Sequence, residues 1–165
     1  VKLSRMESGI IAVHSEDTTI TQMLESIQQQ FNVKVREKNI TLSLCDTDLH
    51  VRCDPKWTVE AIGNIVDNAI KYTACGGNVQ VKAEQNSFFV KIDIIDDGIG
   101  IKKEEMPKIF GRFYRSLSVA DQPGVGIGLF LAREIIQAQK GYIKVTSKRG
   151  KGSTFSVFLP IAKKE

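Results

Sequence analysis

Four short stretches of this 165-residue chain carry residue types that do chemistry, in an order that could bring them together. Asn64, Asn68, Lys71 and Tyr72 recur at i+4 and i+3 spacing, which puts two carboxamides and an ammonium on neighbouring faces of one helix. An Asn carbonyl is a neutral hard oxygen donor, suited to a Mg2+ ion already held by phosphates. Lys71 offers a point charge to phosphate oxygens. Asp96-Asp97-Gly98-Ile99-Gly100 directly follows a run that reads as a strand. Its glycines let the backbone approach a ligand, and a carboxylate in an apolar pocket can accept a hydrogen bond from an amino group such as that of adenine. Ile109 to Arg115 is a basic-aromatic cluster. Gly124-Val125-Gly126-Ile127-Gly128-Leu129 opens a helix, where unpaired N–H groups and the dipole favour phosphate. That glycine run has neither the dinucleotide-binding spacing nor the Lys-Ser/Thr of a phosphate-binding P-loop. Each stretch alone also has a plain reading: a polar helix face, an Asp-Gly turn, an anchor under a loop, a flexible hinge.

The elements that must position these residues can be read from periodicity. Ile20 to Lys38 has Ile20, Leu24, Ile27 and Phe31 at helical spacing, with Thr18 or Thr19 as cap. Asp54-Pro55 starts a helix that should run to Tyr72, with Val59, Ile62, Ile65, Val66, Ala69 and Ile70 on its apolar side. Val125 to Gln139 predicts the third helix, and 102–110 a short one. Strands are expected at Ile10–His14, at Ile40–Cys45 and Leu49–Cys53 joined by the turn Asp46-Thr47-Asp48, at Val79–Glu84 and Phe88–Ile95, and at Tyr142–Ser147 and Ser153–Leu159. Residues 112–124 have no period and read as a loop. Three main helices and six or seven mostly hairpin-linked strands predict an α+β sandwich, a mixed, mostly antiparallel sheet with helices on one face.

Composition narrows the function classes. The hydrophobic fraction of 42% and charged fraction of 25% are those of one globular domain. The net charge of +4 comes from Lys and Arg spread along the whole chain, with only short pairs such as Lys102-Lys103 and Lys163-Lys164, so nucleic acid is not an expected partner. Cys45, Cys53 and Cys75 are odd in number and form no CxxC pair, which argues against a disulfide framework or a zinc site. No apolar run reaches the roughly 18 residues needed to span a bilayer. The start at Val1 suggests a piece of a longer protein.

Taken together, the stretches resemble the sequence boxes of sensor histidine kinases. Asn64 to Thr73 resembles the N box, Asp97 to Ile101 the G1 box, Phe110 to Arg115 the F box, and Gly124 to Leu129 the G2 box; Gly150 to Phe155 followed by Leu159-Pro160 looks like the final hairpin. The resemblance covers about residues 10–160 and implies the Bergerat ATP-binding fold, with ATP and Mg2+ as ligands. It implies that Asn68 coordinates Mg2+, that Asn64 lines the phosphate site, that Lys71 and Tyr72 contact phosphate and flank the nucleotide, and that Asp97 bonds the adenine amino group. It further implies that Arg115 assists the γ-phosphate, that Gly124, Gly126 and Gly128 hinge a lid over about 111–125, and that Gly98, Gly100, Ile101, Phe110, Leu129 and Thr154 complete the nucleotide site. Glu60, one turn before Asn64, is the candidate base. Gly111 and Ile99 depart from residues common in the family.

Residues 1–9 resemble the end of a dimerisation and phosphoacceptor helix, which leaves 10–165 as the catalytic domain. His14 is followed by Ser15 and His50 by Val51, unlike a phosphoacceptor. The implied activity is phosphotransfer from ATP to a histidine on a separate domain. The implied partners are that domain and a response regulator. The isolated domain is expected to be a monomer, within a homodimeric kinase in a bacterial membrane whose catalytic part faces the cytoplasm. The alternatives are a gyrase-type ATPase, which would need a carboxylate where Asn64 stands, an anti-sigma-type serine kinase, and a nucleotide-holding module without chemistry.

Overall fold

A computed structural model describes residues 11–111 and 128–161. Its elements run β1 (Glu16–Thr19), α1 (Ile20–Glu37), β2 (Thr41–Leu44), β3 (His50–Cys53), α2 (Pro55–Tyr72), β4 (Asn78–Gln85), β5 (Phe89–Asp96), a 3-10 turn (Met106–Lys108), α3 (Gly128–Ala138), β6 (Tyr142–Lys148) and β7 (Gly152–Pro160). Five strands form one sheet in the order β2-β4-β5-β7-β6. The β2–β4 pair is parallel and the others are antiparallel. β1 and β3 form a separate antiparallel pair.

The helices start where side chains can satisfy their free N–H groups. Thr19 accepts from Gln22 N at the head of α1, and Asp54 accepts from Trp57 N at the head of α2, with Pro55 in the first turn. The core forms because every second strand residue points the same way. Val90, Ile92 and Ile94 of β5 are fully buried with Phe155, Val157 and Leu159 of β7. They meet Ile62, Ile65 and Val66 of α2 and Ala132, Ile135 and Ile136 of α3. Burying each such branched chain contributes about 1.5–3 kcal/mol. The opposite sheet face carries Lys91, bound to Glu84 and Asp93, and a stack of Tyr142 on Phe158. The fold is therefore α+β, with a helical layer on one side of a mixed sheet.

Three local expectations change. The first strand lies at Glu16–Thr19 rather than Ile10–His14, because its ladder partners are His50 to Cys53. The segment before it is pinned instead by His14 N–H donating to Asp54. The segments at 41–44 and 50–53 are strands but do not pair with each other: β2 continues the large sheet beside β4, while β3 joins β1. The Thr21 hydroxyl donates to Thr47 O and anchors the crossing between them. The short helix expected over 102–110 reduces to one 3-10 turn, where Pro107 supplies no N–H. Residues 125–127 of the expected third helix, and all of 1–9, lie outside the described residues. Among the described residues, no helix is long and apolar enough to cross a membrane.

Candidate nucleotide site

One wall of a cleft is the α2 face that carries the carboxamides. Asn64 is half-buried, and its amide nitrogen donates to Gly128 O at 3.2 Å, tying this wall to the first turn of α3. Asn68 follows one turn on, also half-buried. Lys71 Nζ lies 3.3 Å from Asp67 Oδ2, and Asp67 Oδ1 also receives Lys34 Nζ at 2.6 Å. The helix ends under Lys38, whose ammonium donates to Ile70 O and Lys71 O at 2.7 and 3.0 Å. A cation on free terminal carbonyls also suits the helix dipole.

The second wall is built by the ends of β5 and β7. Asp96 is the last inward residue in the row Val90, Ile92, Ile94, and it is only 6% exposed. It lies opposite Ser153 in the ladder and accepts from Gly98 N–H at 2.9 Å. Burial pushes its carboxyl up from the usual carboxylate range, against the downward pull of the Gly98 and Ser153 N–H groups, while nearby Asp97 adds a further push. The turn after Asp96 packs directly on the end of α2: Ile99 N–H donates to Tyr72 O, and a Cβ on Gly98 would overlap that carbonyl. Gly152 has φ +102, and a Cβ there would strike the Asp96 carbonyl oxygen. Ser147 accepts from Ile101 N–H at 2.8 Å and lies 2.8 Å from the Ser153 hydroxyl. Phe110, nearly buried, meets Phe155 edge-on, and the Arg133 guanidinium lies 5.1 Å from its ring centroid.

The expected residues separate clearly in this geometry. Asn64, Asn68, Lys71 and Tyr72 share the last three turns of α2, with Gly128 bonded to Asn64. Gly98, Gly100 and Ile101 form the turn beyond Asp96, and Leu129 stands half-buried in the first turn of α3. Asp97 does not belong with them as an adenine partner. It is exposed, and its oxygens are taken by Asn78 N–H at 2.8 Å and Asn78 Nδ2 at 3.0 Å, which hold its carboxyl below the usual range. The buried acid is its neighbour, Asp96. Thr154 is displaced in the same sense: it pairs with Ile95 on the outer face, and Ser153 takes the inward position beside Asp96. A one-residue shift along a strand moves a side chain to the other face. The signal was present in the alternation of Val90, Ile92 and Ile94, which continues to Asp96 and skips Asp97. Glu60 lines a groove of about 680 Å3 between α1 and α2, together with Gln22, Met23, Gln30 and Trp57. At 100° per residue it stands about 40° from Asn64, on the α1 side of the helix. Arg115, Gly124 and Gly126 lie outside the described residues.

The residues fit a purine nucleotide with Mg2+. A buried carboxylate sits beside glycines whose backbone leaves no room for a side chain, and the opposite wall offers amides and an ammonium. Among the described residues no trio of His, Cys, Asp or Glu is placed to hold a metal. That donor set suits an ion bound mainly by phosphates, with an Asn oxygen as the protein's contribution.

With this fold and cleft, the class of protein is defined. Residues 53–163 match the family of histidine kinase-, DNA gyrase B- and HSP90-like ATPases, and the chain belongs to that family. Within it, the similarity is to sensor kinases. The chain is 30% identical over 159 residues to the sensor protein kinase PmrB of Pseudomonas aeruginosa, covering 96% of this chain and 33% of that protein. It is 32% identical over 165 residues to the sensor histidine kinase WalK of Bacillus subtilis, covering 97% and 27%. The mycobacterial sensor histidine kinase MprB superposes with a TM-score of 0.77 at 26% identity, over 90% of this chain and 98% of that one. Full-length ShkA in complex with AMPPNP has the same fold, with a TM-score of 0.86 at 21% identity over 99% of this chain and 34% of that one. The chain thus spans less than half the length of the curated relatives it matches and corresponds to the ATP-binding catalytic domain of a sensor histidine kinase.

Proposed function

We propose that this domain binds Mg-ATP between α2 and the β5–β7 wall and delivers the γ-phosphoryl group to a histidine on a separate phosphoacceptor domain. The observation that carries this reading is the buried Asp96 at the end of an apolar row, with the Gly98 and Gly152 backbones packed close against Tyr72 and Asp96 beside it. A carboxylate so placed accepts from the adenine amino group, and Ser153 supports it from the neighbouring strand. Across the cleft, Asn68 offers its side-chain oxygen to Mg2+, while Asn64 and Lys71 face phosphate oxygens. Mg2+ supplies neutralisation of the charge that gathers on the phosphates. Arg115 serves the γ-phosphate in this scheme. Catalysis of this kind is mostly positioning and charge stabilisation, and an imidazole acceptor needs little help from a base. The phosphorylated domain would in turn serve a response regulator, in a homodimeric kinase carried by a bacterial membrane.

The direct test is transfer of labelled phosphoryl from ATP to a purified phosphoacceptor domain. Asn68→Ala is expected to abolish Mg-dependent transfer while the protein still melts cooperatively. Unchanged affinity and transfer rate in that variant would overturn the metal assignment.

A further inference from the structure

Asp67 stands between the two carboxamides of α2 and is itself neither. Its two oxygens are divided between two cations on different elements: Lys34 of α1 at 2.6 Å, and Lys71, one turn further along α2, at 3.3 Å. The side chains are 25% exposed at Asp67, 31% at Lys71 and 55% at Lys34, so the bridge lies at the rim of the cleft rather than in the core. Lys38, one turn after Lys34, reaches the Ile70 and Lys71 carbonyls. The end of α1 and its C-cap therefore bring two ammonium groups against the end of α2: Lys38 on its last carbonyls and Lys34 on the Asp67 carboxylate.

From this geometry we infer that Asp67 is a positioning residue for Lys71. It holds the ammonium at the phosphate edge of the cleft and lets it exchange partners when a triphosphate arrives. The inference rests on the reading of Lys71 as a phosphate contact. Three features support it. A lysine on a free four-carbon stem samples many rotamers, and a carboxylate one turn earlier removes most of them. Once Lys71 turns to phosphate, Lys34 still satisfies Asp67, so the exchange strands no unpaired charge. The carboxylate also stands between Lys71 and Lys34 and offsets their mutual repulsion before any anion is bound. The rim exposure keeps the tie weak enough to break.

The test compares ATP with adenosine in the intact domain, and ATP turnover in a double-mutant cycle. Asp67→Asn is expected to weaken ATP binding or slow transfer by about threefold, the size of a partly exposed ion pair. Adenosine, which has no phosphate for Lys71, should bind unchanged. Asp67→Glu should restore the ATP effect, because Glu reaches a Lys four residues on. In the Lys71→Met background, Asp67→Asn should have no further effect on ATP. Equal losses for ATP and adenosine, or full additivity of the two substitutions, would overturn the inference and make Asp67 a purely structural link between α1 and α2. A Lys71→Met variant that binds and turns over ATP normally would instead remove the phosphate role of Lys71 itself, a separate failure with its own signature.

Discussion

The strand wall and the helix wall of the cleft hold their charges in opposite ways. On the strand wall, Asp96 is buried, bonded by backbone N–H groups, and fixed by a two-residue period that leaves no alternative orientation. On the helix wall, Lys71 and Asp67 are partly exposed and tied by side chains that can rotate. The first arrangement suits recognition of an unchanging group such as a purine edge. The second suits a phosphate chain whose charge and metal change during turnover. Rigidity at one end and exchangeable ion pairs at the other are what a domain needs if it grips the base while the phosphates react.

This contrast can be broken at several points. The largest effect should come from Gly152→Ala. Its positive φ and the Asp96 carbonyl both oppose a Cβ, and neither is the mobile end of a side chain. A drop in melting temperature on the order of 5–10 °C is expected, from strain of about 2–3 kcal/mol. A calorimetric scan within 1–2 °C of the parent, about the size of a small stability change, would show that the strand wall is more compliant than described.

A smaller effect separates neighbours on one strand. Ser153→Ala keeps the backbone N–H on Asp96 but removes the hydroxyl that bonds Ser147, and should weaken adenine-nucleotide binding by about three- to tenfold, the size of one lost hydrogen bond. Thr154→Ala, on the outer face, should leave binding within about twofold. Titration of both variants decides it, and the reverse order would restore Thr154 to the site.

The smallest effect is a pair of opposed pH slopes. Asp96 has a folded pKa raised above its unfolded value, so the folded state holds this proton more tightly. Its share of stability is therefore greatest below the ordinary carboxyl range, about pH 4, and falls as pH rises through the raised value. Adenine affinity should run the other way, weakening on acidification as the acceptor is protonated. Asp96→Asn should flatten both slopes. Asp97 behaves conversely: its lowered pKa gives stability above the ordinary range that is lost as pH falls. Stability and affinity slopes that shift in the same direction between the parent and Asp96→Asn would contradict the placement of Asp96.

Much of this architecture was legible in the residues, because helices report themselves gradually. Moving one position along α2 turns a side chain by about 100°, and several neighbours at i+3 and i+4 share any face. Asn64, Asn68, Lys71 and Tyr72 could therefore be grouped from spacing alone, and α2 begins and ends at the residues expected from Asp54-Pro55 and Tyr72. Strands are less forgiving. Asp96-Asp97 and Ser153-Thr154 are adjacent residues of similar chemistry, and a slip of one position exchanges the buried member for the exposed one. The alternation of the preceding strand, Val90, Ile92 and Ile94, continues to Asp96, whereas a motif of residue types alone does not distinguish the two acids. Long-range pairing was harder still. Nothing local in Thr41 to Leu44 says that it will run parallel to β4 rather than fold back on His50 to Cys53, since that choice depends on which apolar surface each edge finds. Glu60 illustrates the limit of spacing: it is one turn from Asn64, yet α1 packs close enough to draw it into a different groove.

The most direct measurement is isothermal titration of ADP with Mg2+ into Asp96→Asn and Asp97→Asn, side by side with the parent. Asp96→Asn should lose about ten- to a hundredfold in affinity, the size of a lost hydrogen bond to a charged acceptor in a buried site. Asp97→Asn should stay within about twofold, since its carboxylate is held by the Asn78 turn. Strong binding by Asp96→Asn together with loss in Asp97→Asn would contradict the account of the strand wall.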